Sequence, residues 1–159
     1  MPRLHLTSMI AAPADVVFDL NRHIGLHQLS MQRYGEEAVA GIRNGLIGYQ
    51  QTVTWKAKHL GRVRFLTVII SAFEAPRHLE VTMTKGDFAY LQQQFFCKPV
   101  QNGTLLIEDL FVAYPYGWLG RLFGRLYLNR YLCRLLEQRH ACIKDYAESK
   151  KGKDLLRQF

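Results

Sequence analysis

His59 and Glu108 are the two side chains whose types and surroundings best suit general acid–base chemistry. Glu108 and Asp109 are adjacent in a predicted strand, so one of the two carboxylates must point toward the interior. The phase of the strand favours Glu108, because Leu106 and Leu110 share its side. A carboxylate in an apolar cavity has to be paired, hydrogen-bonded or protonated. The two side chains could therefore act as an acid–base pair on a bound carbonyl compound.

A structural role is the alternative for both side chains. His59 stands near the end of its strand, where a half-exposed imidazole needs no catalytic explanation. Glu108 could be satisfied by a backbone donor or by Arg139, although Arg139 snorkelling past the edge of the sheet is the simpler expectation. Asp109 could also take the inward position, because apolar residues flank it too. On the catalytic hypothesis, Glu108→Gln abolishes turnover. On the structural hypothesis, the wild type binds an apolar probe without turnover.

No other catalytic or metal-binding motif stands in the sequence. There is no GxSxG, GxGxxG or GxxxxGK(S/T) pattern. The three cysteines, Cys97, Cys133 and Cys142, lack CxxC spacing and are interpreted as free thiols. His23 and His27 could share one face of a helix, but they do not belong to an HExxH motif. We therefore predict no metal and no cofactor.

Hydrophobic periodicity indicates the elements that would position these residues. A first strand is predicted over residues 3–10, followed by two short helices, one starting near Pro13 and one within residues 21–32. A brief strand follows over residues 35–40. Further strands are predicted over residues 51–59, 63–73, 78–84, 88–97 and 105–114. Because the turns between them are short, these strands should form an antiparallel meander.

Alternation within the strands selects the face that lines a cavity. Lysines belong to solvent, so Lys56 and Lys58 place Trp55 and His59 on the inward face. The same reasoning along the other strands and the long helix predicts a mostly apolar lining with a few polar groups, as ligand pockets have. The predicted lining consists of Trp55, His59, Met83, Phe88, Leu91, Gln93, Phe95, Leu106, Glu108, Leu122, Phe123 and Leu132.

Residues 118–149 contain no proline and predict a C-terminal helix of about 48 Å. At about 100° per residue, its early apolar stripe, which includes Leu122 and Phe123, lies nearly opposite to the later stripe, which starts at Leu128. We expect a kink or restart near Gly124, which makes the first turns a flap over the cavity mouth. The alternative is a straight helix whose early stripe meets a ligand, a partner subunit or a membrane.

Length and composition predict a single domain over residues 1–149 and a basic tail over residues 150–159. The chain has 159 residues, of which 48% are hydrophobic and 21% charged, as is typical of globular proteins. No run of 18 apolar residues suggests a transmembrane helix, and polar residues interrupt the apolar patch near the N-terminus. We therefore expect a cytoplasmic protein, monomeric or homodimeric.

The positive charge is concentrated in the long helix and its tail. The formal net charge is +8, and residues 121–159 carry ten basic and four acidic side chains. A basic amphipathic helix could make weak contact with an anionic membrane through residues 121–157. A solvated face is the simpler explanation of the same charges. No nucleic-acid-binding motif accompanies them, so nucleic acid is not a predicted partner.

Several short motifs occur in an order that resembles one superfamily. They are Ala12-Pro13-Ala14-Asp15-Val16-Val17-Phe18, Val53-Thr54-Trp55-Lys56-Ala57, Ala75-Pro76-Arg77, Gly103-Thr104 and Pro115-x-Gly117-x-Leu119-Gly120. The chain resembles the START / polyketide-cyclase-like (SRPBCC) superfamily over nearly its whole length. The resemblance implies an α+β helix-grip fold, in which a curved antiparallel sheet of six or seven strands wraps around a long C-terminal helix.

The same resemblance implies a deep cavity between sheet and helix that holds an apolar or amphipathic molecule. Relatives include lipid carriers, cyclases and plain binders, so the fold does not imply one reaction. Where one branch often has histidines, this chain has Gln92-Gln93-Gln94, which argues against histidine chemistry there. The first hypothesis is binding or transport of a lipid, fatty-acid-like or polycyclic aromatic molecule. The alternatives are a polyketide cyclase or dehydratase that uses His59 and Glu108, and a membrane-peripheral lipid-transfer module that uses the basic helix.

Overall fold

The computed structural model describes residues 2–158 and contains one seven-stranded antiparallel sheet. The order of the strands across the sheet is β1-β7-β6-β5-β4-β3-β2, so that the first strand pairs with the last. The strands are β1 (Arg3–Ile10), β2 (Glu37–Gly41), β3 (Thr52–His59), β4 (Arg62–Glu74), β5 (His78–Lys85), β6 (Tyr90–Val100) and β7 (Gly103–Ala113). Met1 and Phe159, the ends of the predicted domain and tail, lie outside the described residues.

Side-chain alternation and bulges explain the orientation and the bending of the sheet. In β3, Val53 and Trp55 are buried while Lys56 is exposed, as expected for a strand with one wet face. The register of β4 against β5 shifts between Thr67 and Val68 and again near Ala72. Such bulges bend a strand and increase its twist. The sheet therefore presents a concave face to the helices.

Two short helices and a 3₁₀ turn follow the first strand. They are α1 (Ala14–Asn21), α2 (Ile24–Ser30) and a 3₁₀ helix (Gln32–Tyr34). Pro13 immediately precedes α1 with φ −63°, which suits the entry into a helix. His23 precedes α2, and its Nδ1 accepts a hydrogen bond of 3.1 Å from the backbone N–H of Leu26. This bond satisfies one of the free N–H groups that every helix start exposes.

The C-terminal helix runs without interruption over residues 117–147. It consists of α3 (Gly117–Phe123), a π-helical segment (Gly124–Leu128) and α4 (Asn129–Ala147). The backbone angles stay right-handed helical at each junction, for example φ −58° and ψ −47° at Gly124. The helix therefore does not restart near Gly124, and its first turns are not a separate flap; the irregularity expected there is a π turn, a feature that often accompanies helix kinks. A π turn holds one more residue than an α turn, so it shifts the two apolar stripes relative to each other without a break.

Gly124 lies in the π segment because the helix passes very close to Tyr114. A Cβ atom at this position would lie 2.1 Å from the Tyr114 ring. The Tyr114 hydroxyl donates a hydrogen bond to the Asn129 side-chain oxygen. Burial raises the pKa of Tyr114 to about 12, so this hydroxyl keeps its proton at neutral pH. The glycine therefore serves close packing.

The predicted basic tail contains a further helix, α5 (Lys150–Leu156). Gly152 is buried, and a Cβ there would meet the Tyr146 carbonyl oxygen at 2.3 Å. Leu155 and Leu156 are partly buried and pack against the main core. Residues 150–156 are thus an ordered, basic surface helix.

The core lies between the concave face of the sheet and the helices. Phe18 of α1, Phe95 of β6, Leu106 of β7 and Ile143 of α4 are almost completely buried in its centre. A second, smaller cluster surrounds Leu136 nearer the middle of the long helix. α4, the second part of the C-terminal helix, packs on α1, α2 and β1. This part of the helix is therefore the one that the sheet grips.

Candidate functional site

A cavity of about 660 Å³ lies between the sheet, α2 and the long C-terminal helix. This volume falls within the range of about 300–1,000 Å³ that is usual for small-molecule pockets. Inward-facing residues of β3 to β7 form its walls, among them Val68, Ile70, Leu79 and Val81. Leu132, Leu135 and Leu136 of α4 close it from the other side. The space is therefore mostly apolar and is enclosed by regular strands and helices.

Eight residues of the predicted lining lie on the cavity wall. They are Trp55, His59, Phe88, Leu91, Gln93, Phe95, Phe123 and Leu132. Met83, Leu106, Glu108 and Leu122 are not among the described residues that line it, contrary to expectation. Leu106 and Glu108 are fully buried in the packed layer under the helix, and Met83 packs with the cluster around Leu136. Leu122 is half exposed on the outer side of α3.

His59 hydrogen-bonds Tyr131 and is separate from Glu108. Its Nδ1 lies 2.6 Å from the Tyr131 hydroxyl oxygen, and its ring lies 4.8 Å from that of Tyr34. Burial lowers the pKa of His59, an effect that Glu36 opposes. His59 belongs to β3 and Glu108 to β7, and three strands separate them in the sheet. The two side chains therefore do not form the acid–base pair expected from the sequence.

Glu108 belongs to a closed polar network beneath α4. It points toward the helix side and accepts a hydrogen bond of 2.8 Å from the Gln93 amide. Its other oxygen lies 2.8 Å from Nε2 of His140, whose Nδ1 lies 2.8 Å from the Ser8 hydroxyl. Asp109 faces the other way and is bound by Arg3 and His5. The phase prediction for Glu108 thus agrees with its direction, whereas Arg139 is not its hydrogen-bonding partner.

Ser8, His140 and Glu108 are the residue types of a hydrolytic triad, but their position does not suit catalysis. A nucleophile needs an adjacent space that a reacting group can occupy. None of the three belongs to the described lining of the cavity, and Glu108 and His140 are buried to 0% and 2% exposure. Among the described residues, their donors and acceptors bind one another. The network therefore specifies the packing of α4 on β1 and β7.

Arg139 is a buried cation on the cavity wall. Only 9% of its surface is exposed, and its guanidinium carbon lies 5.0 Å above the Phe95 ring. Nη2 donates to the backbone oxygen of Asn21 at 2.7 Å and to the Asn21 side-chain oxygen at 3.2 Å. Burial lowers the pKa of Arg139, while the carboxylates of Glu108 and Glu36 act in the opposite direction. Arg139 thus neither snorkels past the sheet nor pairs directly with Glu108.

The mouth of the cavity lies at the start of the C-terminal helix. Tyr116 and Phe123 line it, and both are exposed, Tyr116 by 86%. Tyr116 has φ 71°, a left-handed conformation that costs a residue with a side chain about 1–2 kcal/mol. Trp118, Leu119 and Leu126 are also more than half exposed on the same turns. The early apolar stripe therefore lies beside the opening.

Sequence reasoning missed Asn21 and His140. His140 stands four residues after Leu136 and three before Ile143, which is the spacing of one helix face. That pattern could have placed it in the buried stripe. Asn21 carries no comparable signal, because it is simply the last residue of α1. Its proximity to Arg139 depends on how α1 packs against α4, and this packing is a tertiary property.

The part of the chain over residues 2–158 contains neither a metal-binding cluster nor a membrane-spanning helix. In this range no group of three or more His, Cys, Asp and Glu side chains is arranged to hold a metal ion. Within the same limits, no helix has the length and apolar character needed to cross a membrane. Burial raises the pKa of Cys97 to about 12, so this thiol is a packing group.

Solved structures of distant proteins have the same fold. TTHA0849 from Thermus thermophilus gives a TM-score of 0.74 at 16% identity, covering 91% of this chain and 95% of its own. A START superfamily protein from Mycobacterium smegmatis gives 0.69 at 15% identity, with 92% and 97% covered. Ara h 8.0201 gives 0.63 at 12% identity, also with 92% and 97% covered. The helix-grip fold predicted from the resemblance to the START / polyketide-cyclase-like superfamily is confirmed. The sequence matches no protein-family model and no curated protein.

Proposed function

We propose that this protein binds a hydrophobic small molecule in the cavity between the sheet and the C-terminal helix, to carry or sequester it. The observation that supports this function is the 660 Å³ cavity with a predominantly apolar wall. Burial of apolar ligand surface would contribute about 25 cal/mol per Å². A lipid, a fatty-acid-like chain or a polycyclic aromatic molecule would each match such a wall.

The aromatic residues of the wall favour an extended or planar ligand. Trp55, Phe88 and Phe95 line the cavity from three different strands or turns, and Phe123 stands at its mouth. Aromatic side chains offer large rigid contact surfaces with few rotatable bonds. Polar groups on the wall, such as Gln93, would then orient the ligand.

Native mass spectrometry of the protein as purified from cells tests this function directly, because a retained apolar ligand adds a defined mass. A titration with an apolar fluorescent probe complements it. Leu132→Trp should reduce probe binding at least about tenfold by filling the cavity, which corresponds to about 1.4 kcal/mol. Leu119→Trp is the matched control, because Leu119 is 57% exposed and outside the described lining. Equal loss in both variants, or no binding by the wild type, contradicts the proposal.

A membrane-peripheral lipid-transfer role is the second candidate, and the exposed stripe at the cavity mouth favours it. Trp118 and Leu122 are 68% and 50% exposed, and Arg121 and Arg125 are exposed beside them. An apolar and aromatic face flanked by arginines suits an anionic lipid surface. Contact through this face would bring the mouth of the cavity to the membrane.

Vesicle co-sedimentation distinguishes this second role from plain binding. The wild type should bind vesicles that contain phosphatidylglycerol, and binding should weaken sharply with salt. Trp118→Ser combined with Leu122→Ser should abolish it. Tyr49→Ser is the control, because Tyr49 is 56% exposed but lies outside the described cavity lining. Unchanged vesicle binding by the double variant contradicts the membrane role.

We do not propose a cyclase or dehydratase that uses His59 and Glu108, because each of these side chains has its own separate partners. The cytoplasm remains the proposed location. Cys97, Cys133 and Cys142 are all free, which suits a reducing compartment. Size exclusion with light scattering would decide between monomer and homodimer.

A further inference from the structure

We propose that Arg139 and Asn21 form an anion site inside the cavity, so that the ligand is an amphiphile with a carboxylate head group and an apolar chain. This inference rests on the proposed function, because it defines which hydrophobic molecule the cavity accepts. It places the head group on α4 and α1, deep in the cavity, and the chain toward Phe123 at the mouth.

Arg139 has donors that its protein partners leave unused. A guanidinium carries five N–H donors and stays charged in proteins. Both hydrogen bonds of Arg139 come from Nη2 and end on Asn21; Nε and Nη1 make none with the residues that the structure describes. The group is nevertheless only 9% exposed. A cation taken out of water needs an anion or hydrogen-bond acceptors. The unused donors Nε and Nη1 of Arg139 are therefore suited to bind a ligand oxygen.

The neighbouring carboxylates have other partners. Glu36 lies 2.7 Å from His27, and Glu108 lies 2.8 Å from His140. Both influence Arg139 electrostatically, but neither makes an ion pair with it in the described part of the chain. The charges of Glu36 and Glu108 therefore stabilise the Arg139 cation from a distance, while the hydrogen-bonding positions next to the guanidinium remain available.

Asn21 supplies a second donor at the same wall. Its side-chain oxygen accepts from Arg139 at 3.2 Å, which fixes the orientation of the amide. The amide nitrogen Nδ2 is then left buried, without an acceptor among residues 2–158. Asn21 is 3% exposed and lines the cavity next to Arg139. An unsatisfied buried donor costs about 1–3 kcal/mol, and a rotation of the Asn21 side chain toward the cavity would let a bound carboxylate remove that cost.

The two donors together match a carboxylate better than a neutral head group. A carboxylate has two oxygens that can accept from a guanidinium and an amide at once, and charge-assisted bonds are about twice as strong as neutral ones. Phe95 covers one face of the guanidinium, and the N–H donors point outward in its plane, so the anion approaches in that plane. Arg139 lies 11 residues beyond Leu128, another residue of the cavity wall, about 16 Å along the helix. That distance suits a long alkyl chain.

Isothermal titration with palmitate and methyl palmitate tests the inference, because the two probes share a chain and differ in charge. The delipidated wild type should prefer palmitate at least about tenfold. Arg139→Met should lose this preference and keep its affinity for the ester. Arg134→Met is the matched control, since Arg134 is exposed on the same helix, and it should behave as the wild type. Asn21→Asp is the second variant: its carboxylate would occupy the guanidinium, and palmitate affinity should fall while ester affinity is kept.

The outcomes separate the inference from the proposed function. Equal affinity of the wild type for acid and ester overturns the anion site and leaves the apolar-ligand function intact. If the wild type binds an apolar fluorescent probe but binds neither palmitate nor its ester, the anion site is likewise overturned and the apolar-ligand function is kept. A preference for palmitate that survives both Arg139→Met and Asn21→Asp also overturns the site. Failure of the wild type to bind any of these molecules overturns the proposed function as well.

Discussion

Arg139 and His140 are neighbours on α4, yet they enter two different polar environments. His140 lies between Ser8 and Glu108, and each of its ring nitrogens has a partner at 2.8 Å. Arg139 turns toward the cavity and makes hydrogen bonds through one nitrogen only, within the described residues. Both side chains are at least nine-tenths buried. Burial alone therefore does not separate a structural polar residue from a functional one, whereas the use of its donors does.

The difference follows from what lies opposite each side chain. His140 faces β1 and β7, where packed strands supply fixed acceptors, and a fully satisfied network of this kind rigidifies a core. Arg139 faces the cavity, where none of the described strands contributes an acceptor to it. Natural proteins depart from full polar satisfaction mainly at functional sites. The open donors of Arg139 and Asn21 are such a departure.

The largest expected effect comes from opening the closed network. His140→Leu leaves the Glu108 carboxylate buried with Gln93 as its remaining partner in the network. We expect a loss of about 3–5 kcal/mol in the free energy of unfolding, because an uncompensated buried charge is costly. Urea denaturation at pH 7 measures it. Ser8→Ala is the milder control, at about 1 kcal/mol. Equal losses in the two variants would show that Glu108 does not depend on His140.

The stabilisation by bound palmitate should depend on Arg139 and not on His140. Palmitate at about 100 times its dissociation constant should raise the free energy of unfolding by about 2.7 kcal/mol in the wild type. His140→Leu should gain the same amount, because its site is outside the described cavity lining. Arg139→Met should gain much less at the same concentration. Thermal or urea unfolding with and without palmitate provides the comparison, and equal gains in all three proteins would contradict it.

Most of the fold was predictable because it depends on local periodicity. The alternation around Trp55 and Lys56 fixes the faces of β3, and Pro13 marks the start of α1. The C-terminal helix shows the limit of this reasoning. The offset between its two apolar stripes was a real signal, but it reflects a π turn and not a break. Gly124 was interpreted as a breaker, whereas the ring of Tyr114, which packs against it, is what requires a glycine.

The candidate site was only partly predictable because its polar contacts join distant elements. Strand phase correctly directed Glu108 inward, but the partners came from β6, β1 and α4. Helix phase could not indicate that Arg139 meets Asn21, 118 residues away in sequence. The sequence likewise allows Glu108 and Arg139 to be partners, whereas in the structure each binds other residues. Phase determines the direction of a side chain; the tertiary packing of α1 against α4 determines what it meets.

Removing the open cation should cost less than opening the network. Arg139→Met leaves the Asn21 oxygens without their donor, which we expect to cost about 1–2 kcal/mol without ligand. The loss is reduced because methionine avoids the desolvation of a buried charge. Urea denaturation of the delipidated protein measures it beside His140→Leu. If Arg139→Met lost as much unfolding free energy as His140→Leu, the expected difference between the two polar environments would be contradicted.

The smallest effect concerns Glu108 and Asp109, a second pair of neighbours that face opposite sides. Burial raises the pKa of Asp109, but hydrogen bonds and charges of His5 and Arg3 outweigh it, so the pKa is lowered overall. A carboxyl whose pKa is lower in the folded state stabilises the fold above its unfolded pKa of about 3.9. That stabilisation disappears as the pH falls through the lowered folded pKa.

Asp109→Asn should therefore reduce the free energy of unfolding at pH 7 by about 1 kcal/mol or less, because the side chains of Arg3 and His5 are about half exposed. Between about pH 5 and pH 2 the wild type should lose this excess and converge on the variant. Arg3→Gln should give an intermediate profile, since it removes one of the two partners. Urea denaturation across this pH range tests the sign. Divergence of the two proteins toward acid would mean that burial, and not the two partners, governs Asp109.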